Sequence, residues 1–216
     1  MTTPDPVPPL LSARAARLAM QTPWKALNEV RRILLLPLAR LYFAAVGVPW
    51  GHGWRLYGLP IIQKYRPSTL IIGDGVELRS TARSNPLGPS HPVILTTRRA
   101  GARLVIGAGL GMTGGTICAE ESITIGDHVV VGANTTITDS DFHPLDPALR
   151  RRDPLAGQTR PVIIEDDVFI GMNCLILKGV TIGAASVIGA GSVVTRSIPP
   201  GVIAAGNPAR VVRKVE

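Results

Sequence analysis

His143 stands in the stretch TDSDFHPLDPALRRRD, residues 138–153, among four aspartates and three arginines. A neutral imidazole, with a reference pKa of about 6.5, is suited to take a proton from a hydroxyl as that hydroxyl attacks. Asp139 and Asp141 stand four and two residues before it. Either can orient the imidazole or bind substrate hydroxyls, or both only cap turns in a solvated loop. Arg150, Arg151 and Arg152 offer contact with a phosphate, or form a solvated charged face. His52, His91 and His128 do not fall at close metal-ligand spacing with His143, so no metal is expected. Cys118 and Cys174 make neither a zinc spacing nor a disulfide framework, and point to a reducing cytosol.

The elements that must position these residues are written in sixes. From Ile164 the chain divides without a slip into IEDDVF, IGMNCL, ILKGVT, IGAASV, IGAGSV and VTRSIP. IGDHVV, VGANTT and ITDSDF run from Ile125 to Phe142, and weaker copies begin at Ile72 and Ile106. The first position is always Ile or Val, and the fifth is mostly small, Cys174 included. Three sixes make one triangular coil of short parallel strands, with first positions stacked inward and Cys174 in the core. Helix periodicity does not produce such a pattern. The glycines of IGAGLG (106–111) echo a dinucleotide loop, but no helix-opening pattern follows, so they are corner residues. The stretch 138–153 is where the sixes stop.

Composition agrees with many short strands and tight corners: 23 Gly, 19 Pro and 4 % aromatics in 216 residues. A net charge of +8 favours an anionic partner, whether a membrane surface or a phosphorylated small molecule. Nucleic acid is not expected, because no basic stripe is interleaved with aromatics. No secretory signal pattern is visible at the N-terminus, and a cytoplasmic location is expected. Residues 10–48 read as helix with a break near Thr22–Trp24. Arg14, Arg17, Lys25, Arg31, Arg32 and Arg40 alternate there with leucine-rich stretches. The apolar run from Ile33 to Val48 contains Pro37 and Arg40 and falls short of the roughly 20 residues a spanning helix needs. It is either a helical cap on the following domain or a basic amphipathic segment lying on the inner face of an anionic membrane.

The hexads and the tail VTRSIPPGVIAAGNPARVVRKVE resemble the left-handed β-helix, hexapeptide-repeat acyltransferases. They are most similar to bacterial sugar O-acetyltransferases of polysaccharide and glycoconjugate biosynthesis. The resemblance is close from Gly107 to the C-terminus, looser over residues 60–106, and absent from the N-terminal helices. It implies an all-β-dominated left-handed parallel β-helix over 58–200. An N-terminal helical extension (1–57), a protruding loop (139–163) and a C-terminal tail (201–216) complete the chain. It further implies a homotrimer with active sites between subunits, and His143, in His143-Pro144-Leu145-Asp146-Pro147, as general base. The expected reaction is direct transfer of an acetyl group from acetyl-CoA to a sugar hydroxyl, so the lack of a Ser or Cys nucleophile motif is consistent.

By position the resemblance also assigns the donor site. Phe169, Gly171, Met172 and Ala190 meet the pantetheine arm, Thr195 and Arg196 follow, and Arg210 and Arg213 pair with CoA phosphates. Phe169 stands where relatives often carry tryptophan, and Met172 is bulkier than the usual small residue. Two other readings remain open. One is N-acetylation of an amino sugar, or acetylation of a small xenobiotic. The other is a non-catalytic β-helix serving as a binding module at a membrane.

Overall fold

A computed structural model describes residue 17 and residues 19–216. The earlier part of the helix expected over 10–48 therefore lies largely outside the described residues. Residues 17 and 19–21 are helical, the helix breaks at Thr22, and α1 (Pro23–Ala45) follows, ended by a turn through Val46 and Gly47.

The repeats fold into a three-sided parallel β-helix. Its first side, sheet A, runs in the order β1 (Arg55–Tyr57), β4 (Glu77–Arg79), β7 (Gly111–Thr113), β10 (Val130–Val131), β13 (Phe169–Ile170), β16 (Val187–Ile188) and β18 (Val202–Gly206). The antiparallel strand β19 (Ala209–Lys214) closes that sheet. Sheet B holds β2 (Ile61–Lys64), β5 (Ile94–Thr97), β8 (Thr116–Ala119), β11 (Thr136–Thr138), β14 (Leu175–Ile176) and β17 (Val193–Val194). Sheet C holds β3 (Thr69–Ile72), β6 (Arg103–Ile106), β9 (Ser122–Ile125), β12 (Val162–Ile164) and β15 (Thr181–Ile182). The chain visits A, B and C in turn, so each strand pairs with its counterpart one coil away. The coils begin at Arg55, before the boundary expected at residue 58, and β18 continues sheet A beyond residue 200.

The hexad explains this geometry. Ile164, Ile170, Ile176, Ile182, Ile188 and Val194, all first positions, are at most 1 % exposed. The fifth-position Thr135, Ser186 and Ser192 also point inward, and their hydroxyls are hydrogen-bonded, as burial requires. Ser186 Oγ donates to the Pro199 carbonyl (2.8 Å), Ser192 Oγ to Gly189 (2.6 Å), and Thr135 Oγ1 to Gly171 (2.8 Å). Cys174 occupies a fifth position in this core, and burial pushes its thiol up, as it pushes Cys118 to about 11. Carboxylates stitch the C-to-A corners. Asp74 accepts from the His52 N–H (2.7 Å), Asp127 from Ala108 (2.7 Å) and Asp166 from Asp127 (2.8 Å).

Helix α1 docks on the first coil through buried Ala39 and Phe43. The Phe43 ring meets Trp50 and Trp54 edge-on at 5.7 and 5.1 Å, and the Tyr42 hydroxyl accepts the Ile62 N–H (2.9 Å). Its opposite side is apolar and open: Trp24, Leu27, Leu34, Leu38 and Leu41 are all exposed, Leu34 by 75 %.

Candidate active site

The fourth coil is interrupted between β11 and β12, where the chain leaves the B-to-C corner and returns at Val162. The loop is tied at its base. Ser140 Oγ donates to buried Glu120 (2.8 Å) and accepts the Phe142 N–H (2.8 Å). Arg98 and Arg99 pair with Glu120 at 3.1 and 2.8 Å, and Arg99 also donates to the Leu155 carbonyl (2.8 Å). Phe142 takes a left-handed backbone conformation (φ 61°), unusual for a bulky residue, under the Arg98 guanidinium. Gly157 passes against this bend: a Cβ there would sit 2.6 Å from the Phe142 carbonyl carbon and 2.8 Å from the His143 nitrogen.

His143 is exposed at the outer end of this bend, and its Nδ1 lies 2.6 Å from the Pro154 carbonyl oxygen. A carbonyl only accepts, so Nδ1 carries the hydrogen and Nε2 presents its lone pair outward. The next turn is rigid too. Asp146 caps α2 (Pro147–Arg152) by accepting the Leu149 N–H (2.6 Å), and Arg150 donates to the Pro144 and Leu145 carbonyls at 2.8 and 3.2 Å. Arg150 thus braces the loop, while Arg151 and Arg152 are exposed.

Neither aspartate expected near His143 is given to it. Asp139 is fully buried, and its carboxylate accepts backbone N–H groups of Glu120, Glu121 and Ser122 at 2.7–2.8 Å. Burial pushes its carboxyl above the ordinary value, against the pull of those donors. Asp139 therefore locks one coil to the coil before it. Asp141 forms an ion pair with Lys178 (2.9 Å), although its enclosed Oδ2 has no donor in line for a good hydrogen bond.

A second surface lies on the outer face of sheet A. The strand registers place Arg55, Glu77, Gly111, Val130, Phe169, Val187, Ile203 and Arg213 side by side in one row across the coils. A groove of about 530 Å³ follows the middle of this row, and Phe169, Gly171, Met172 and Ala190 line it together. Its floor is nearly bare backbone at the A-to-B corner. A Cβ on Gly171 would meet the Ala190 nitrogen at 2.5 Å, and one on Gly132 the Met172 nitrogen at 2.5 Å. Gly111 differs, since a Cβ there would meet nothing within 4 Å and would project into open space. Arg213 ends the same row, and Arg210, opposite Ala205, is exposed on the same edge strand.

The expected site residues thus divide between two surfaces. Phe169, Gly171, Met172 and Ala190 line the sheet A groove, and Arg210 and Arg213 lie outside its lining on β19, two strands past β16. His143, Thr195 and Arg196 belong to the B-to-C corner, and none of these three lines the groove. Val130 and Gly132 line it without having been singled out in the sequence, and Gly111, expected at a corner, lines it as the first residue of β7. Their signal was present: Val130 and Gly132 sit one coil from the expected donor residues Phe169 and Gly171 in the hexad register, and Gly111 sits two coils from Phe169. Glu120 and Gly157 gave no such signal, because their partners are fixed by the fold. Among the described residues, no group of three or more His, Cys, Asp or Glu side chains is arranged to hold a metal ion.

The family model described as the hexapeptide repeat of succinyl-transferase matches residues 101–139 and 161–196, leaving the His143 loop between its two segments. Galactoside O-acetyltransferase of Escherichia coli K12 is 44 % identical over 100 residues, which cover 46 % of this chain and 48 % of that protein. Galactoside O-acetyltransferase of Lactococcus lactis is 45 % identical over 100 residues, 46 % of this chain and 47 % of that protein. The chain therefore spans about half the length of these relatives. Among solved structures, the N-acyltransferase AntD of Bacillus cereus superposes with a TM-score of 0.58 at 17 % identity, over 82 % of this chain and 89 % of that one. That likeness is one of fold. The architecture is that of the left-handed parallel β-helix.

Proposed function

Because this chain belongs to the hexapeptide-repeat acetyltransferase family, we propose that it moves an acetyl group from acetyl-CoA to a hydroxyl of a sugar, with His143 as general base. The observation that carries this reading is the 2.6 Å contact from His143 Nδ1 to the Pro154 carbonyl, which leaves Nε2 free to accept a proton. Two galactoside O-acetyltransferases among the relatives support the sugar acceptor.

The chemistry needs no covalent enzyme intermediate. Nε2 takes the proton of the acceptor hydroxyl as its oxygen bonds to the thioester carbonyl carbon. Collapse of the tetrahedral adduct then breaks the carbon–sulfur bond, and the departing thiolate recovers the proton from the imidazolium. Proton transfer of this kind contributes about 10²- to 10⁴-fold to rate.

The sheet A groove fits an extended donor. Its floor is open at Gly111, and the strand row that it follows continues beyond it to Arg213, with Arg210 on the same edge strand, both suited to CoA phosphates. From β19 to β7 are five strand steps of about 4.8 Å, roughly 24 Å. In one subunit the groove and His143 lie on different sides of the β-helix, so a complete site requires a neighbour's B-to-C corner to face the groove. This supports a homotrimer with shared active sites, and gives Thr195 and Arg196 a place beside a neighbour's donor.

Isothermal titration with acetyl-CoA tests the reading. One site per subunit is expected, weakened in an Arg210→Ala/Arg213→Ala variant; intact oligomer with no binding would remove the assignment.

Contact of α1 with an anionic membrane surface is part of the same proposal. No described helix is long and apolar enough to cross a membrane. The open Trp24–Leu41 face, with Arg31 and Arg40 exposed on the same helix, suits an interfacial position. Sedimentation with phosphatidylglycerol vesicles is expected, weakened by salt and by Leu34→Asp/Leu38→Asp; equal sedimentation of that variant would remove the membrane role.

A further inference from the structure

A cleft of about 850 Å³ opens between α1, the first two strands of sheet A and the loop after β4. Its wall is a tight polar cluster. The Tyr57 hydroxyl donates to Glu29, which also accepts from Arg32 (2.8 Å) and Arg55 (3.1 Å). Arg79 lies over the Tyr57 ring, 4.4 Å from its centre, and pairs with Glu77 at 2.6 Å, as Arg55 does at 3.4 Å. Two carboxylates, Glu29 and Glu77, thus meet three guanidiniums, Arg32, Arg55 and Arg79, and the cluster keeps one positive charge in surplus. Lys25, Arg31 and Arg83 line the same cleft, and their side chains have no carboxylate partner among the described residues. Among the described residues these three cations add to the cleft's positive charge, and the exposed indole of Trp24 stands at its rim.

Such a surplus selects for a multiply charged anion, and guanidinium groups match phosphate oxygens in particular. The volume is that of a small-molecule site. Position narrows the ligand further. Arg79 and Asn85 line both this cleft and the sheet A groove, and Asn85 donates to Thr113 in that groove (3.2 Å). From Phe169 on β13 to Arg79 on β4 are three strand steps, roughly 14 Å. The cleft therefore adjoins the end of the groove opposite Arg210 and Arg213.

We propose that this cleft binds the diphosphate of a glycosyl diphosphate, whose sugar reaches past Arg79 and Asn85 to the reacting end of the groove. The inference rests on the acetyl-transfer reading and gives its acceptor a chemical class. A nucleoside diphosphate sugar and a prenyl diphosphate sugar share this chemistry. The Trp24 rim would meet the base of the one, and the open face of α1 the chain of the other.

The test is titration of the full oligomer with inorganic pyrophosphate, a uridine diphosphate sugar and a short-chain prenyl diphosphate sugar. Each is run without CoA and with saturating CoA, which removes competition for the donor site. Binding that persists with CoA, falls off with salt, and weakens roughly tenfold or more in Lys25→Ala/Arg31→Ala/Arg83→Ala supports the site. Whichever sugar diphosphate binds more tightly than pyrophosphate identifies the source. Equal binding by the variant, or no pyrophosphate binding by CoA-loaded protein, overturns it. Failure of the transferase reading looks different, since CoA itself would then not bind. Arg83→Glu is the second variant; its side chain has no partner among the described residues, so lost affinity with an unchanged melting temperature separates binding from folding.

Discussion

His143 Nδ1 and the carbonyl oxygen of Pro154 are 2.6 Å apart, joining the two arms of the loop that interrupts the fourth coil. The contact fixes which nitrogen is free as well as where the ring stands. His143→Ala is expected to lower kcat about 10²- to 10⁴-fold with acetyl-CoA affinity unchanged. Wild-type turnover by that variant would remove His143 from the reaction.

Gly157 holds the backbone of the same bend. Gly157→Ala puts a methyl group 2.6 Å from the Phe142 carbonyl carbon, and the backbone must give way. A displacement on the order of 1 Å at a catalytic group costs roughly 10²-fold in rate. We expect a loss of that size in kcat, with the melting temperature little changed because the core coils are untouched. Steady-state kinetics beside calorimetry separates the two quantities.

Gly111 supplies room where no packing demands it. In Gly111→Leu the added Cβ meets nothing within 4 Å, and leucine suits a strand better than glycine does. The side chain would enter the groove, raising KM for acetyl-CoA about tenfold while thermal stability holds or rises. An unchanged KM would show that the donor does not pass this point.

Glu29 couples α1 to the β-helix in a pH-dependent way. Burial pushes its carboxyl up, but hydrogen bonds from Tyr57 and Arg32 and the charges of Arg32 and Arg55 outweigh this and hold it below its reference of 4.5. A carboxyl whose pKa is lowered on folding stabilises the folded state above its unfolded value, and that stability is lost as pH falls through the folded one. The stability gap between wild type and Glu29→Gln should therefore be full at pH 7 and narrow as pH falls below the reference of 4.5 and through the lowered folded value. Chemical denaturation across that range measures it; a gap that stays constant would mean the carboxylate contributes nothing through its charge.

The β-helix was legible because every coil imposes the same constraint on the same hexad positions. Ile164 to Val194 repeat one requirement six times, and each copy confirms the others. His143 was legible as the chemical residue at the point where that requirement lapses. Asp139 was not, because its three partners, Glu120 to Ser122, lie one coil earlier and become neighbours only when coils stack. The same holds for the cleft under α1, where Glu29 and Tyr57 are 28 residues apart. Local pattern carries repeating contacts well. It is silent about contacts made once.

The antiparallel return of β19 against β18 has a consequence for the molecule's life in a crowded solution. A parallel β-helix ends in open backbone, and an open end invites another copy to add coils and grow a fibre. Here β19 occupies the end of sheet A and presents Arg210, Arg213 and Lys214, whose like charges repel a second end. At the other end α1 lies against the first coil through Ala39 and Phe43. A scaffold built by repetition is thus given a definite length by two elements that do not repeat.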